Sequence, residues 1–468
     1  MTDVVAGDLA SFRTVFGGRV VTREDADYDE VRSECVWNGD IDRRPFLIAR
    51  CTTPADVSAA LGFARGSGRD VSVRGGGHNF AGSCIADDAV MIDLGPMSEV
   101  RVDPDARRAA CGGGATWAQL DAATQQHGLA TPGGFISHTG VAGLTLGGGM
   151  GWLTRKAGLS CDNLLSVEIV TADGTIRRAS ADENSDLFWA VRGGGGNFGV
   201  VTGFEFQLHE VGPMVQLGLT FWALDDGGVA FRTARDIIAS LPDDIAVFLA
   251  GLNAPPAPFV PAEHHFRPGY AVLLVAHGGT DVLWQALARL RDAAPPLVTF
   301  DTPIPYTQLQ QMFDESAPWG IRGYEKAVYL EDLSDGAIDV IVRQMPRKAS
   351  PMSFMPVFAL GGEYARRGED ETAFGGSRRT RFVLNIAAVA PTPDLLEADR
   401  AWVREFWSEL VPYAEGTGSY VNFMSEFEED RVRASYGPDK YARLARIKAT
   451  YDPGNVFHYN ANIRPAAV

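Results

Sequence analysis

His78 follows three consecutive glycines, Gly75, Gly76 and Gly77, at the end of an alternating segment that runs from Asp70 to Arg74. Residues without Cβ let successive backbone N–H groups turn inward and form a nest for an anion such as a pyrophosphate. An imidazole next to that nest would lie beside whatever the phosphates carry. Taken alone, these residues also fit a tight turn with a surface histidine. The run TPGGFISHTGVAGLTLGGGMG at 131–151 weighs against that reading. Interior glycine weakens strands, and the run is too apolar for a solvent linker. A backbone laid against a large flat ligand satisfies both facts.

A third glycine cluster is a decoy. GGGNFG at 194–199 matches the G-x-G-x-x-G pattern. A dinucleotide fingerprint needs a strand before it and a helix after it, so that the pyrophosphate meets a helix N-terminus. Here a helix (Asp186 to Arg192) precedes and a strand (Val200 to Leu208) follows, so the Rossmann reading is set aside. No G-x-x-x-x-G-K-[ST] phosphate loop is present.

The elements that must hold these loops are legible. Thr53-Pro54 with Asp56 starts a helix carrying Val57, Ala60, Leu61 and Ala64 at helical spacing. Short strands are predicted at 70–74 and 89–94, a helix over 116–127 stopped by Gly128, and a hairpin over 165–177 turning at Asp173-Gly174. The character changes after Gly212-Pro213, where the glycine clusters stop and prolines gather. From Tyr420 the spacing predicts a strand, in which Tyr420 and Asn422 share one face and Phe423 the other. A long helix follows at about 427–449. The expected division is 1–211, 212–415 and 416–468, the last segment returning to the first.

Composition narrows the class of function. The chain has 468 residues and a net charge of −17, which disfavours nucleic acid and anionic membranes as partners. A phosphate-bearing ligand must then be held by backbone N–H groups or a few arginines. Five scattered cysteines without a C-x-x-C pair indicate neither a disulfide framework nor a zinc site, and no metal is expected. No apolar run approaches the ~20 residues that span a bilayer. Met1 to Phe12 lacks the apolar stretch of a leader, so a reducing cytoplasm is the default expectation. Oligomeric state is not legible.

Five ordered motifs together carry a family resemblance: RGGGH at 74–78, the 131–151 run, DNL at 162–164, Arg192 to Val200, and the tail YDPGNVF at 451–457 with NANI at 460–463. The chain resembles the vanillyl-alcohol-oxidase-type flavoproteins, with their PCMH-type FAD-binding domain, and within them the berberine-bridge-enzyme-like branch. The resemblance spans nearly the whole chain. It implies an α+β fold: a two-lobed FAD-binding domain, a substrate domain whose antiparallel sheet covers the flavin, and a C-terminal return. It implies FAD bonded covalently to His78, with oxidation of a small-molecule alcohol, amine or secondary metabolite by hydride transfer to the flavin and with molecular oxygen as acceptor. A flavin-dependent oxygenase of natural-product biosynthesis, or a dehydrogenase with another acceptor, is the alternative.

The resemblance also assigns residues. Cofactor contacts fall on Arg74, Gly75, Gly76, Gly77, His78, Asn79, Thr139, Gly140, Gly143, Leu144, Gly148, Gly149, Gly151, Val201, Asn460 and Asn462. Backbone N–H groups of 139–143 are expected near the flavin position that gains charge on reduction. Ile136 occupies the place of a second, cysteinyl tether, so a single tether is expected and Cys161 is read as a buried thiol. Thr139 falls beside the reactive flavin edge, where a small residue goes with oxygen access. The family's tyrosine base corresponds to Phe423, which cannot accept a proton. Tyr420, Asn422 and His138 are the remaining catalytic candidates beside Thr139. Tyr324, Lys326, Tyr329, Glu363 and Arg381 are candidate pocket residues from the middle of the chain.

Overall fold

Thr53 accepts from the Asp56 N–H while Asp56 answers the Thr53 N–H, a reciprocal cap that starts the helix Pro54–Ser67. Gly68, at φ 65°, ends it. In the computed structural model, which describes residues 8–416 and 418–467, this helix is the crossover between two parallel strands. Residues 1–7, part of the stretch read above for a leader, lie outside the described residues. The crossover joins Leu47–Arg50 to Val71–Arg74, with Val90–Asp93 between them and Arg19–Thr22 at the edge, in a four-stranded sheet. The His78 loop therefore leaves the end of a parallel strand.

A second, five-stranded antiparallel sheet holds Val100–Asp103, Arg108–Gly112, Val200–Gln207, Leu164–Val170 and Ile176–Ser180 in that spatial order. Its last two strands form the expected hairpin. Thr171 and Thr175 both donate to the Asp173 carboxylate, and Gly174 takes φ 81°. The helix Ser185–Val191 and the strand Val200–Gln207 flank the 194–199 loop in the order that excludes the Rossmann reading.

Residues 214–390 supply a seven-stranded antiparallel sheet. The helices Gly227–Ile238, Asp281–Ala293, Asp335–Gln344 and Pro393–Leu410 pack on one face. Apart from the partly exposed edge strand Val298–Pro305, its strands are largely buried on both sides, so they read as near-continuous apolar runs in which only strand parity tells the faces apart. Tyr324, Val328 and Leu330 join the helix-side core, as do Phe382, Leu384 and Ile386. Phe248, Leu273 and Tyr329 face the other way, toward the glycine-rich half.

The tail returns to the five-stranded sheet. The helix Glu429–Tyr451, bent at Gly437 and Pro438, packs Val432, Tyr436, Leu444 and Ile447 into that sheet's core. Lys448 and Asp452 form a fully buried ion pair at 3.1 Å, and Lys448 also donates to the carbonyls of Asn197 and Phe457. The strand expected from Tyr420 does not form. No partner strand meets this stretch, and Val421–Phe423 is one turn of 3-10 helix with Tyr420 locked at its start. No helix among the described residues is long and apolar enough to cross a membrane.

Candidate active site

A cavity of about 950 Å³ lies between the glycine-rich loops and the free face of the seven-stranded sheet. That volume is at the upper end for ligand pockets. Gly75, Gly76, Gly77, His78 and Asn79 line it from the first loop, and Ile136, Thr139, Gly140, Gly143 and Leu144 from the second. Val201 and Asn460 complete this side.

The two loops touch through backbone. A Cβ on Gly76 would lie 2.2 Å from the Gly140 nitrogen, and one on Gly140 2.4 Å from the Gly76 nitrogen. These glycines hold the loops together. Gly143 and Gly196 differ: a Cβ on either meets nothing within 4 Å, and both line the cavity. Their missing side chains leave open space for a ligand against the backbone. Gly195, Gly196 and Asn197 belong to the decoy motif, so that loop lines the site without using the Rossmann geometry. The sequence reading missed Gly195 and Gly196, although their clustering was the available signal.

His78 is clamped from several sides. The Trp37 ring stacks on it at 5.2 Å, and Trp319 approaches edge-on at 5.8 Å. Gly77 is at φ 73°, and a Cβ there would meet the Cys35 carbonyl at 2.4 Å, so both the conformation and the space call for glycine. His78 Nε2 and His138 Nδ1 share a proton at 2.6 Å. Burial, then the His138 ring, push the His78 pKa down to about 3, so the ring is neutral at physiological pH. The loop carrying His138 is pinned by Ser137, whose N–H and hydroxyl both donate to the Asp314 carboxylate.

Several expected contacts are corrected. Arg74 turns away from the cavity and pairs with the buried Asp93 at 2.9 Å, bracing the strand end instead of a phosphate. Gly148, Gly149 and Gly151 face protein: added Cβ atoms would meet Phe374, the Ser160 hydroxyl and the Gly133 carbonyl. Asn462 does not line the wall. Tyr420 is buried behind it, its hydroxyl accepting from the Gly149 N–H and from Asn422 Nδ2, and burial pushes its pKa upward. It cannot serve as the base. Asn422 lines the wall, but its amide is spent on Tyr420 and the Leu144 carbonyl. His138 acts on His78 and is not part of the wall.

The middle-chain candidates also fail. Tyr324 and Lys326 point to the helix side, toward Arg404 and Glu426. Glu363 pairs with Arg366 and Arg367. Tyr329 is buried beside Phe374 and Tyr364, and neither it nor Arg381 lines the cavity. The residues that do line it are Glu325, between two of the candidates, and Asn385. Asn385 Nδ2 donates to Glu325 Oε2 at 2.8 Å, while Glu325 Oε1 and Asn385 Oδ1 have no partner. Asn460 Oδ1 is likewise buried and unpartnered. Open glycine backbone suits a large planar ligand, and the orphaned acceptors can receive hydrogen-bond donors from what binds there.

Comparison with known proteins agrees with this geometry. Residues 45–180 match the FAD binding domain model, and residues 419–464 match the berberine and berberine like model. The chain is 31% identical to (R)-6-hydroxynicotine oxidase of Paenarthrobacter nicotinovorans, over 96% of this chain and 97% of the relative. The chain belongs to the berberine-bridge-enzyme-like family of FAD-linked oxidoreductases. Its fold superposes on 6-hydroxy-D-nicotine oxidase from Arthrobacter nicotinovorans with a TM-score of 0.85 at 28% identity, covering 96% and 98% of the two chains. Glucooligosaccharide oxidase from Acremonium strictum shares the fold, with a TM-score of 0.83, 22% identity, and 98% and 100% covered. The family thus accounts for the α+β architecture and for FAD as the cofactor.

Proposed function

We propose that this family member is an oxidase that holds FAD through one covalent bond to His78 and oxidises an apolar small molecule with oxygen as the acceptor. The observation that carries the reading is the 2.6 Å contact between His78 Nε2 and His138 Nδ1. The contact occupies Nε2 of a neutral histidine; with Nε2–H donating to His138 Nδ1, the tautomer that the tether requires, the lone pair of His78 Nδ1 is the nucleophile. The flavin of the glucooligosaccharide oxidase structure carries an 8α-N1-histidyl and a 6-S-cysteinyl bond. In this chain Ile136 supports the absence of a cysteinyl bond. Cys161 is fully buried, and burial raises its thiol pKa, so it is a poor nucleophile.

Bound FAD supplies a hydride acceptor and returns two electrons to oxygen. The chain's residues hold and shield it. The Trp117 backbone N–H donates to the Thr139 carbonyl at 3.0 Å and fixes the turn that presents Thr139 to the cavity. The Thr139 and Val141 N–H groups are taken by the Ile136 and Ala115 carbonyls, so the support for 139–143 as donors to developing negative charge comes from Ala142 and Gly143 in the first turn of the helix Val141–Leu146. Five buried, unpaired cysteines suit a reducing compartment.

Acid precipitation tests the tether: the yellow chromophore should pellet with the protein and be released from His78→Ala. Chromophore in the supernatant of the unmodified protein would remove the covalent reading. Stoichiometric peroxide during turnover marks an oxidase, whereas labelled oxygen in the product marks an oxygenase.

A further inference from the structure

We propose that Glu325 is the proton acceptor of the reaction and that the substrate is an aromatic or alicyclic alcohol without anionic groups. The proposal rests on the cavity being the flavin and substrate site. Among the described residues, the wall's only carboxylates are Glu315, which is exposed, and Glu325, which is 1% exposed. Among the described residues the wall contains no lysine or arginine, so no side-chain cation there balances a carboxylate or phosphate on a substrate. The part built by the seven-stranded sheet is apolar: Phe221, Phe248, Leu273 and Phe358 line it, with Phe313 from the connection after the helix Tyr306–Gln310. A flat or compact hydrocarbon body fits this chamber, and Glu325 supplies a polar anchor for it.

Glu325 is set up for proton transfer by its neighbours. Asn385 Nδ2 holds Oε2 and leaves Oε1 free. The Glu325 N–H donates to the Ser425 hydroxyl, which fixes the strand against the returning tail. No charged group faces the carboxylate: Lys326 lies on the opposite strand face in an ion pair with Glu426, and Asn385 is neutral. Burial raises its pKa to about 8 and outweighs the Asn385 hydrogen bond, which lowers it. That value suits a base working near neutral pH. In the step, the substrate O–H proton passes to Oε1 while the C–H bond breaks and its electron pair leaves as hydride to the flavin. A carbonyl forms, oxygen reoxidises the reduced flavin to give hydrogen peroxide, and Glu325 returns its proton to water.

The test uses the flavin-loaded protein without oxygen, with benzyl alcohol, cinnamyl alcohol and indanol as reductants and naphthol as a non-reacting ligand. Flavin reduction should speed up with pH to a plateau above about 8. Glu325→Gln should slow it by about 10²–10⁴-fold, flatten the pH profile and leave alcohol binding within about threefold. Infrared spectra should show a protonated carboxyl band that is missing from Glu325→Gln and shifts when naphthol binds. Reduction by Glu325→Gln within about threefold of the native rate would overturn the role. So would a carboxyl band unmoved by bound naphthol. Failure of all these alcohols and of naphthol to bind flavin-loaded protein would overturn the substrate class. Loss of the flavin itself would instead count against the reading of His78 and the cavity.

Discussion

A neutral histidine and a protonated glutamate face the same cavity, and each has a measurable signature. As pH rises from the ordinary glutamate value of 4.5 toward about 8, the unfolded chain gives up a proton that folded Glu325 keeps. Stability therefore falls with pH across that window. Glu325→Gln should match the native protein near pH 4 and exceed its stability by up to about 4 kcal/mol at pH 9, read by denaturant unfolding. Asp121, also raised by burial, contributes equally to both chains and cancels in the difference. Equal pH slopes would show that Glu325 ionises normally. His138 carries a separate expectation. His138→Ala should keep FAD but leave much of it untethered, seen as chromophore in the acid supernatant. A fully tethered variant would mean that the 2.6 Å contact is dispensable for attachment.

At the scale of elements, the glycine loops divide by what a side chain would strike. Gly76→Ala drives a methyl into the Gly140 backbone, which cannot move aside as a flexible side chain could. It should destabilise the fold by about 1–3 kcal/mol or more. Gly143→Ala and Gly196→Ala meet only open cavity. They should leave the unfolding transition of flavin-free protein in place and lower flavin content. Calorimetry beside the absorbance ratio of flavin to protein separates the two classes, and a Gly143→Ala protein with full flavin would move the cofactor away from that backbone. These elements were readable because their signals are local. The Thr53 cap, the Asp173-Gly174 turn and the helix-before-strand order at 194–199 each depend on a few adjacent residues. The strand expected at Tyr420 failed because strands need a partner, and no partner is written into the segment itself.

The whole molecule depends on how the sheet half is fastened to the glycine-rich half. Arg378 and Asp162 form a bidentate pair between them, with side chains 3% and 1% exposed and N–O distances of 2.7 and 2.8 Å. Arg378→Leu leaves Asp162 buried without its partner. It should lower stability by about 3–5 kcal/mol, seen as an earlier thermal transition. A loss under about 1 kcal/mol would mean that water reaches the site and solvates the carboxylate.

The sequence by itself determined what comes from contiguous residues: a histidine after three glycines, an apolar glycine-dense run, and an isoleucine where the resemblance places a second tethering cysteine. It also pointed to the family, because those motifs are short and ordered along the chain. Only the tertiary structure decided which polar groups meet the substrate. Glu325 and Asn385 lie 60 residues apart and become neighbours through the pairing of Arg322–Leu330 with Phe382–Ala390. In a sheet buried on both faces, apolar residues occupy both parities, so the pattern does not reveal which side a strand residue takes. The sequence reading singles out Tyr324 and Lys326 and passes over Glu325, while the register puts those two on the opposite face. The same packing turned Arg74 toward Asp93 and sealed Tyr420 behind Gly149, because buried polar groups take the partners that the completed fold brings within reach.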